Sequence, residues 1–263
     1  MQKIKLPIPL IYNDLKITDA EINKPKTKTL KDTKRASKTR NFFLALKTFL
    51  TSTVKLTEDK EKSDRLITEL PQRTAELIAL KVLLLQFPED DKVEGIYTCP
   101  RCRNQIICEF NDGFDNRDSI SELNINYFDK DQLEFTSELN VIIKDKKSNN
   151  VILDIKNITM RFPLLKDFIE VVSFIGNDDP YEIQNKVFEK CIIKLNNTEF
   201  TKKERNLYAT KIIDESDPDE LEAFSSYFNS FGLIEYVNKV CLNCGKKFKT
   251  KLNTANFFDS ALD

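Results

Sequence analysis

Six cysteines carry the most specific chemistry in this chain of 263 residues, and four of them form two Cys-x-x-Cys turns. The first is "YTCPRCRNQI", residues 98–107, with Cys99 and Cys102. The second is "VCLNCGKKF", residues 240–248, with Cys241 and Cys244. A Cys-x-x-Cys turn presents two sulfurs to one ion. Zinc takes four ligands in a tetrahedron, thiolates at about 2.3 Å, so one turn supplies half a site and two supply a whole one. Cys99, Cys102, Cys241 and Cys244 are therefore the expected ligands of one structural Zn2+. The turns lie 142 residues apart, Cys99 to Cys241. Closing a loop of that length costs on the order of 5 kcal/mol, against roughly 10–16 kcal/mol for zinc in small peptide sites. The metal term wins.

Rival uses of the thiols fit less well. A redox Cys-x-x-Cys opens a helix in a βαβ unit, whereas strand-like residues follow both pairs here. A disulfide inside each pair would be strained and belongs to oxidising compartments. Knuckles that have lost their metal stay open as an alternative. A hydrolytic zinc keeps a free position and commonly uses histidine, and the chain has none. Cys108 and Cys191 lie in apolar runs and read as packing. "NDGFDN" fails the spacing of a calcium loop, and no phosphate loop, dinucleotide fingerprint or nucleophile elbow appears. No enzyme is read from this sequence.

The elements that must position the cysteines come next. "VEGIYT" and "NQIICEF" read as strands around the first pair, and "LIEYVNKV" and "KKFKTKL" around the second. "NFFLALKTFL" places apolar residues at 42, 43, 45, 46, 49 and 50, a helical face. "LPQRTAELIALKVLLLQF" reads as a helix beginning near Pro71. "PLLKDFIEVVSFIG" runs from Pro163 to a stop at Gly176. Asp179-Pro180 opens another helix, and Asp217-Pro218 a third, with Glu220 in capping-box position. "SELNINYF", "LEFTSELNVIIKD" and "VILDIKNITMRF" read as strands, with "KDKKSNN" as a hairpin tip.

The order helix, "KL", charged stretch, helix, strand, Cys-x-x-Cys, strand occurs twice. Leu56 precedes Cys99 by 43 residues, and Leu195 precedes Cys241 by 46. The expected fold class is α+β: two related α+β repeats joined by a β-rich insert and tied by the four-cysteine zinc-knuckle site. The expected divisions are a basic, extended arm over 1–40, a first repeat over 41–110, the insert over 111–155, a second repeat over 156–252 and a tail over 253–263. A chance recurrence of similar segments is the alternative to a tandem duplication.

Hydrophobic residues make up 40% and charged residues 32%, with a net charge of -1, which argues against global attraction to nucleic acid or an anionic membrane. No segment approaches the ~18 apolar residues of a membrane span, and the first residues lack the apolar run of a secretory signal. A cytoplasmic setting with reduced thiols is expected. The basic run within 19–40 lacks interleaved aromatics and reads as a solvated connector.

Three passages together resemble a family. "KIKLPIPL" is similar to the short "KLP" start of the baseplate hub assembly proteins of T-even-type contractile-tailed phages. "LITELPQRTAELIALKVLLLQF…VEGIYTCPRCRNQI" resembles the helix, strand and Cys-pair passage of those proteins and of related tail assembly chaperones. "GLIEYVNKVCLNCGKKFKTKLNTANFFDSAL" looks like that passage again. The basic stretch 24–40 and the β-rich insert depart from the family. The resemblance implies a non-enzymatic structural or assembly protein of the baseplate hub, with tail and baseplate proteins as partners and no catalytic residues. It places the chain in the host cytoplasm during assembly and in the virion baseplate, where it could join an oligomer.

The competing reading is a zinc-ribbon nucleic-acid-binding or transcription-associated factor, since Arg101, Arg103, Lys246, Lys247, Lys249 and Lys251 would cluster if the knuckles meet. Near the end, Phe257 and Phe258 suit either the core or a partner's groove. For the partner role, deleting residues 253–263 is expected to weaken partner binding and leave the melting temperature unchanged. A truncated chain that unfolds assigns these phenylalanines to the core.

Overall fold

The computed structural model describes residues 2–85, 93–110, 125–128, 133–145, 147–176, 179–233 and 236–251. Phe257 and Phe258, the "NDGFDN" stretch and the tail 253–263 lie outside the described residues. The architecture is mixed α+β, and the chain divides into two compact units, 1–128 with 231–263 and 129–230.

Unit 1 begins with an antiparallel hairpin, β1 (Gln2–Tyr12) and β2 (Leu15–Ile22), turning at Asn13, whose φ is 52°. Helices α1 (Thr27–Ser37) and α2 (Phe42–Thr53) follow, and β3 (Val54–Lys55) closes a sheet of order β1-β2-β3. Next come α3 (Lys60–Ile67) and α4 (Gln72–Leu84), then the ribbon β4 (Val93–Thr98) with β5 (Gln105–Phe110), and the short β6 (Ile125–Asn126). Helix α2 starts where the Asn41 side chain accepts the Leu44 N–H. It buries Ala45, Leu46, Phe49 and Leu50, the stripe its spacing predicts. Helix α4 is buried along most of its length, Arg73, Thr74 and Glu76 included.

Of residues 1–40, expected to be an extended basic arm, 2–22 form this hairpin and 27–37 form α1. Leu6, Ile8 and Leu10 of β1 are fully buried. Pro7 and Pro9 have no N–H to give, and the β1–β2 ladder shifts register between Lys5 and Leu10. Thr74 of α4 repairs the gap. Its hydroxyl accepts the Ile8 N–H at 3.3 Å and donates to the Ile8 carbonyl at 3.0 Å. The Pro7 carbonyl accepts the Phe128 N–H at 2.7 Å.

Unit 2 begins with the hairpin β7 (Glu134–Lys144) and β8 (Val151–Arg161), then α5 (Leu165–Ile175) and α6 (Pro180–Cys191). β9 (Ile192–Leu195) and β10 (Thr198–Glu199) complete a sheet of order β10-β9-β8-β7, and α7 (Lys202–Glu215) and α8 (Pro218–Asn229) end the unit. Asp179 and Asp217 cap α6 and α8, and Glu220 closes the capping box on α8. Arg161 grips Asp167 at 2.7 and 3.0 Å and also donates to the Phe162 and Lys190 carbonyls, tying β8 to α5 and α6. The expected border at 155/156 cuts through β8, whose pairing with both β7 and β9 keeps those residues in one unit.

The chain re-enters unit 1 with β11 (Gly232–Leu233), paired to β6, and ends its described part with the ribbon β12 (Tyr236–Val240) and β13 (Lys247–Lys251). Phe128 and Phe231, the last residue before unit 2 and the first after it, meet edge to face at 4.9 Å.

Inside each unit the same order recurs: hairpin, helix, helix, short strand pairing with the hairpin's second strand, helix, helix. Ile22 pairs with Val54, and Met160 with Ile192. Both hairpins shift register partway along, opposite Ile17 to Asp19 in unit 1 and Ile155 to Asn157 in unit 2. The buried residues Ile17, Ala20 and Ile22 of β2 are matched by Ile155, Ile158 and Met160 of β8. Phe49 and Leu50 of α2 are matched by Val187 and Phe188 of α6. The capping residues Asn41 and Asp179 stand in the same place, each opening the second helix after its hairpin.

Thr74→Val keeps the shape and removes both bonds to Ile8. It is expected to lower stability by about 2 kcal/mol, the cost of leaving buried backbone groups unpaired, read as a lower denaturation midpoint at unchanged slope.

Candidate metal centre

Two ribbons build the site, and both turn the same way. In the first, Thr98 of β4 pairs with Gln105 of β5, leaving a tip of residues 99–104. In the second, Val240 of β12 pairs with Lys247 of β13, leaving 241–246. The Cys99 N–H donates to the Asn104 carbonyl at 2.9 Å, and the Arg103 N–H to the Cys99 carbonyl at 3.0 Å. The other tip repeats both bonds, Cys241 to Lys246 at 3.0 Å and Gly245 to Cys241 at 2.7 Å.

This turn requires a left-handed residue after its second cysteine. Gly245 supplies it with a φ of 69°. Arg103 adopts 62° in the equivalent place, a conformation that costs a side-chain-bearing residue roughly 1–2 kcal/mol. The departure from glycine in the first knuckle is one of residue type and leaves the backbone path the same.

The four sulfurs lie within 4.8 Å of one another. Cys99 faces Cys244 at 3.7 Å, and Cys102 faces Cys241 at 3.6 Å. The pairing is reciprocal: the first cysteine of each tip meets the second of the other. Cys99 and Cys241 are fully buried, and Cys102 and Cys244 are half-buried. A tetrahedron with metal–sulfur distances of about 2.3 Å has edges of about 3.8 Å, so these separations fit one ion. They far exceed the ~2.05 Å of a disulfide, and the five cysteines with described side chains are all free. Each pair is followed by a strand and not by a helix, so the helix-start setting of a redox dithiol is missing.

Backbone donors surround the sulfurs. The Asn104 N–H donates to Cys102, and with the Asn243 side chain and neighbouring thiols it draws the Cys102 pKa down to about 6. Asn243 belongs to the opposite tip, and its Nδ2 lies 3.7 Å from the Cys102 sulfur. The N–H groups of Cys102 and Arg101 hold Cys99 below its ordinary value. At Cys244 the Lys246 N–H also favours the thiolate, but burial and the three other thiols prevail and push it up to about 11. This donor set of soft thiolates can hold zinc or another thiophilic ion.

Cys191 sits at the end of α6, and burial pushes it up to about 12, an inert core thiol. Cys108 lies on β5, with its side chain outside the described residues. Lys249 and Lys251 lie on β13 with side chains outside the description, and Arg101, Arg103, Lys246 and Lys247 are exposed at the joined tips. Asn243 as a donor across the site is not readable from the spacing of the cysteines. Among the described residues, no helix is long and apolar enough to cross a membrane.

No family model, no curated protein and no solved structure matches this chain.

Metal uptake requires thiolates and releases the protons that the thiols hold. Cys102 gives up its proton more readily than Cys244, which its burial and the other thiols hold protonated to higher pH. Zinc binding to the metal-free chain is therefore expected to release protons and to tighten as pH rises. Calorimetry in buffers of different ionisation heat checks this; an enthalpy independent of buffer contradicts it.

Proposed function

We propose that this chain is a non-enzymatic structural or assembly protein of a contractile phage-tail baseplate hub, acting through protein–protein contacts, with one structural Zn2+ at Cys99, Cys102, Cys241 and Cys244. The observation that carries this reading is the reciprocal four-thiol cluster, drawn two and two from the chain segments before and after unit 2. Four protein ligands fill a tetrahedral ion and leave no position for substrate or water. Such a site spends its binding free energy on holding chain segments together. The family resemblance in "KIKLPIPL" and in both Cys-pair passages supplies the baseplate assignment.

The proposal includes a tandem duplication, with copies over about 2–110 and 134–251. Support comes from the shared element order, the matched register shifts and the matched buried positions. In this reading the two knuckles are the equivalent ends of the two copies. The segment 134–155, assigned to an insert by its strand content, is then the second copy's counterpart of the N-terminal hairpin.

Purified protein is expected to carry one zinc per chain by elemental analysis and to co-purify with baseplate or tail subunits from phage-producing cells. Replacing Cys99 and Cys102 together by Ser should remove the metal and lower the melting temperature sharply. A chain with full stability and no metal overturns the zinc assignment, and co-purification without tail subunits overturns the baseplate one.

A further inference from the structure

We infer that the joined knuckle tips are a docking surface for an acidic protein segment carrying an apolar anchor residue. Leu242, in the middle of the second tip, is 97% exposed. Neighbouring Val240 is 49% exposed. Covering Leu242 with a partner would remove a large apolar side chain from water.

The two tips and their flank also carry Arg101, Arg103, Lys246 and Lys247, all exposed. None makes an ion pair among the described residues, and no Asp or Glu occurs in 99–105 or 240–248. Exposed cations on the same tips as an exposed apolar side chain favour an acidic partner, by charge complementarity and by faster encounter.

The same features argue against nucleic acid. Residues 98–105 and 240–248 include one aromatic, Phe248, which is half-buried, whereas base stacking calls for a series of exposed aromatic rings. A short acidic segment with one leucine or phenylalanine fits the surface better.

The inference rests on the assembly reading in taking the partner to be a protein, and its test is separate from metal content. The full metal-loaded chain is titrated with three labelled probes: an acidic peptide with a central leucine, the same peptide with serine there, and duplex DNA. The leucine peptide is expected to bind at least about tenfold tighter than either of the others. Leu242→Ser should remove that preference with the metal still bound, a fold-independent control because the side chain is solvent-exposed. Lys246→Glu with Lys247→Glu should weaken peptide binding and flatten its salt dependence. Equal binding of the two peptides, an inert Leu242→Ser, the absence of peptide binding, or tighter binding of DNA each overturns the proposal. The zinc count and the co-purification decide the assembly reading independently.

Discussion

The sulfur cluster can form only because residues far apart in sequence are returned to within 4.8 Å of one another. Between the two cysteine pairs the chain leaves unit 1, builds a second unit, and comes back. Several contacts secure that return. Phe231 meets Phe128, β11 pairs with β6, and Gly232 passes so close to α4 that an added Cβ would stand 3.0 Å from the Arg73 Cβ. Gly232 also holds a φ of 86°, so space and backbone conformation both demand glycine. The thiols complete a closure that packing has begun, and the entropy of the long loop is shared between the two.

Reciprocity is the second organising feature. Each tip contributes one fully buried and one half-buried cysteine, and the buried member of each faces the half-buried member of the other. The backbone bonds of the tips match one for one. Asn243 breaks the balance by reaching across to Cys102, while the corresponding place in the first tip is Arg101, whose side chain is exposed. The four sulfurs are therefore chemically unequal before any ion arrives, with Cys102 drawn down and Cys244 pushed up.

Much of this was legible in the sequence. Cysteine spacing and flanking strand residues announced both ribbons, and Asp179, Asp217 and Glu220 announced their helix starts by the side-chain chemistry of the first turn. The α1 helix was not legible, because its buried side chains are Thr29 and Thr33, in a run of lysines with no apolar period. The N-terminal hairpin was obscured by Pro7 and Pro9, which argue against a strand until Thr74 is seen supplying what they lack. The unit boundaries were hidden for a different reason. Composition changes near residue 111, but a boundary is set by which strands pair, and β8 pairs on both sides. The left-handed turn at Arg103 carries no residue-type signal at all.

One detail of the first strand reaches beyond its own ladder. An edge strand with free amide groups is a template on which stray polypeptide can add. β1 is such an edge, yet two of its central residues have no amide hydrogen and the amide between them is already taken by Thr74. With the Ile8 amide on Thr74, the Pro7 carbonyl on Phe128 and no amide hydrogen at Pro7 or Pro9, this stretch of β1 keeps few backbone groups with which a further strand could pair.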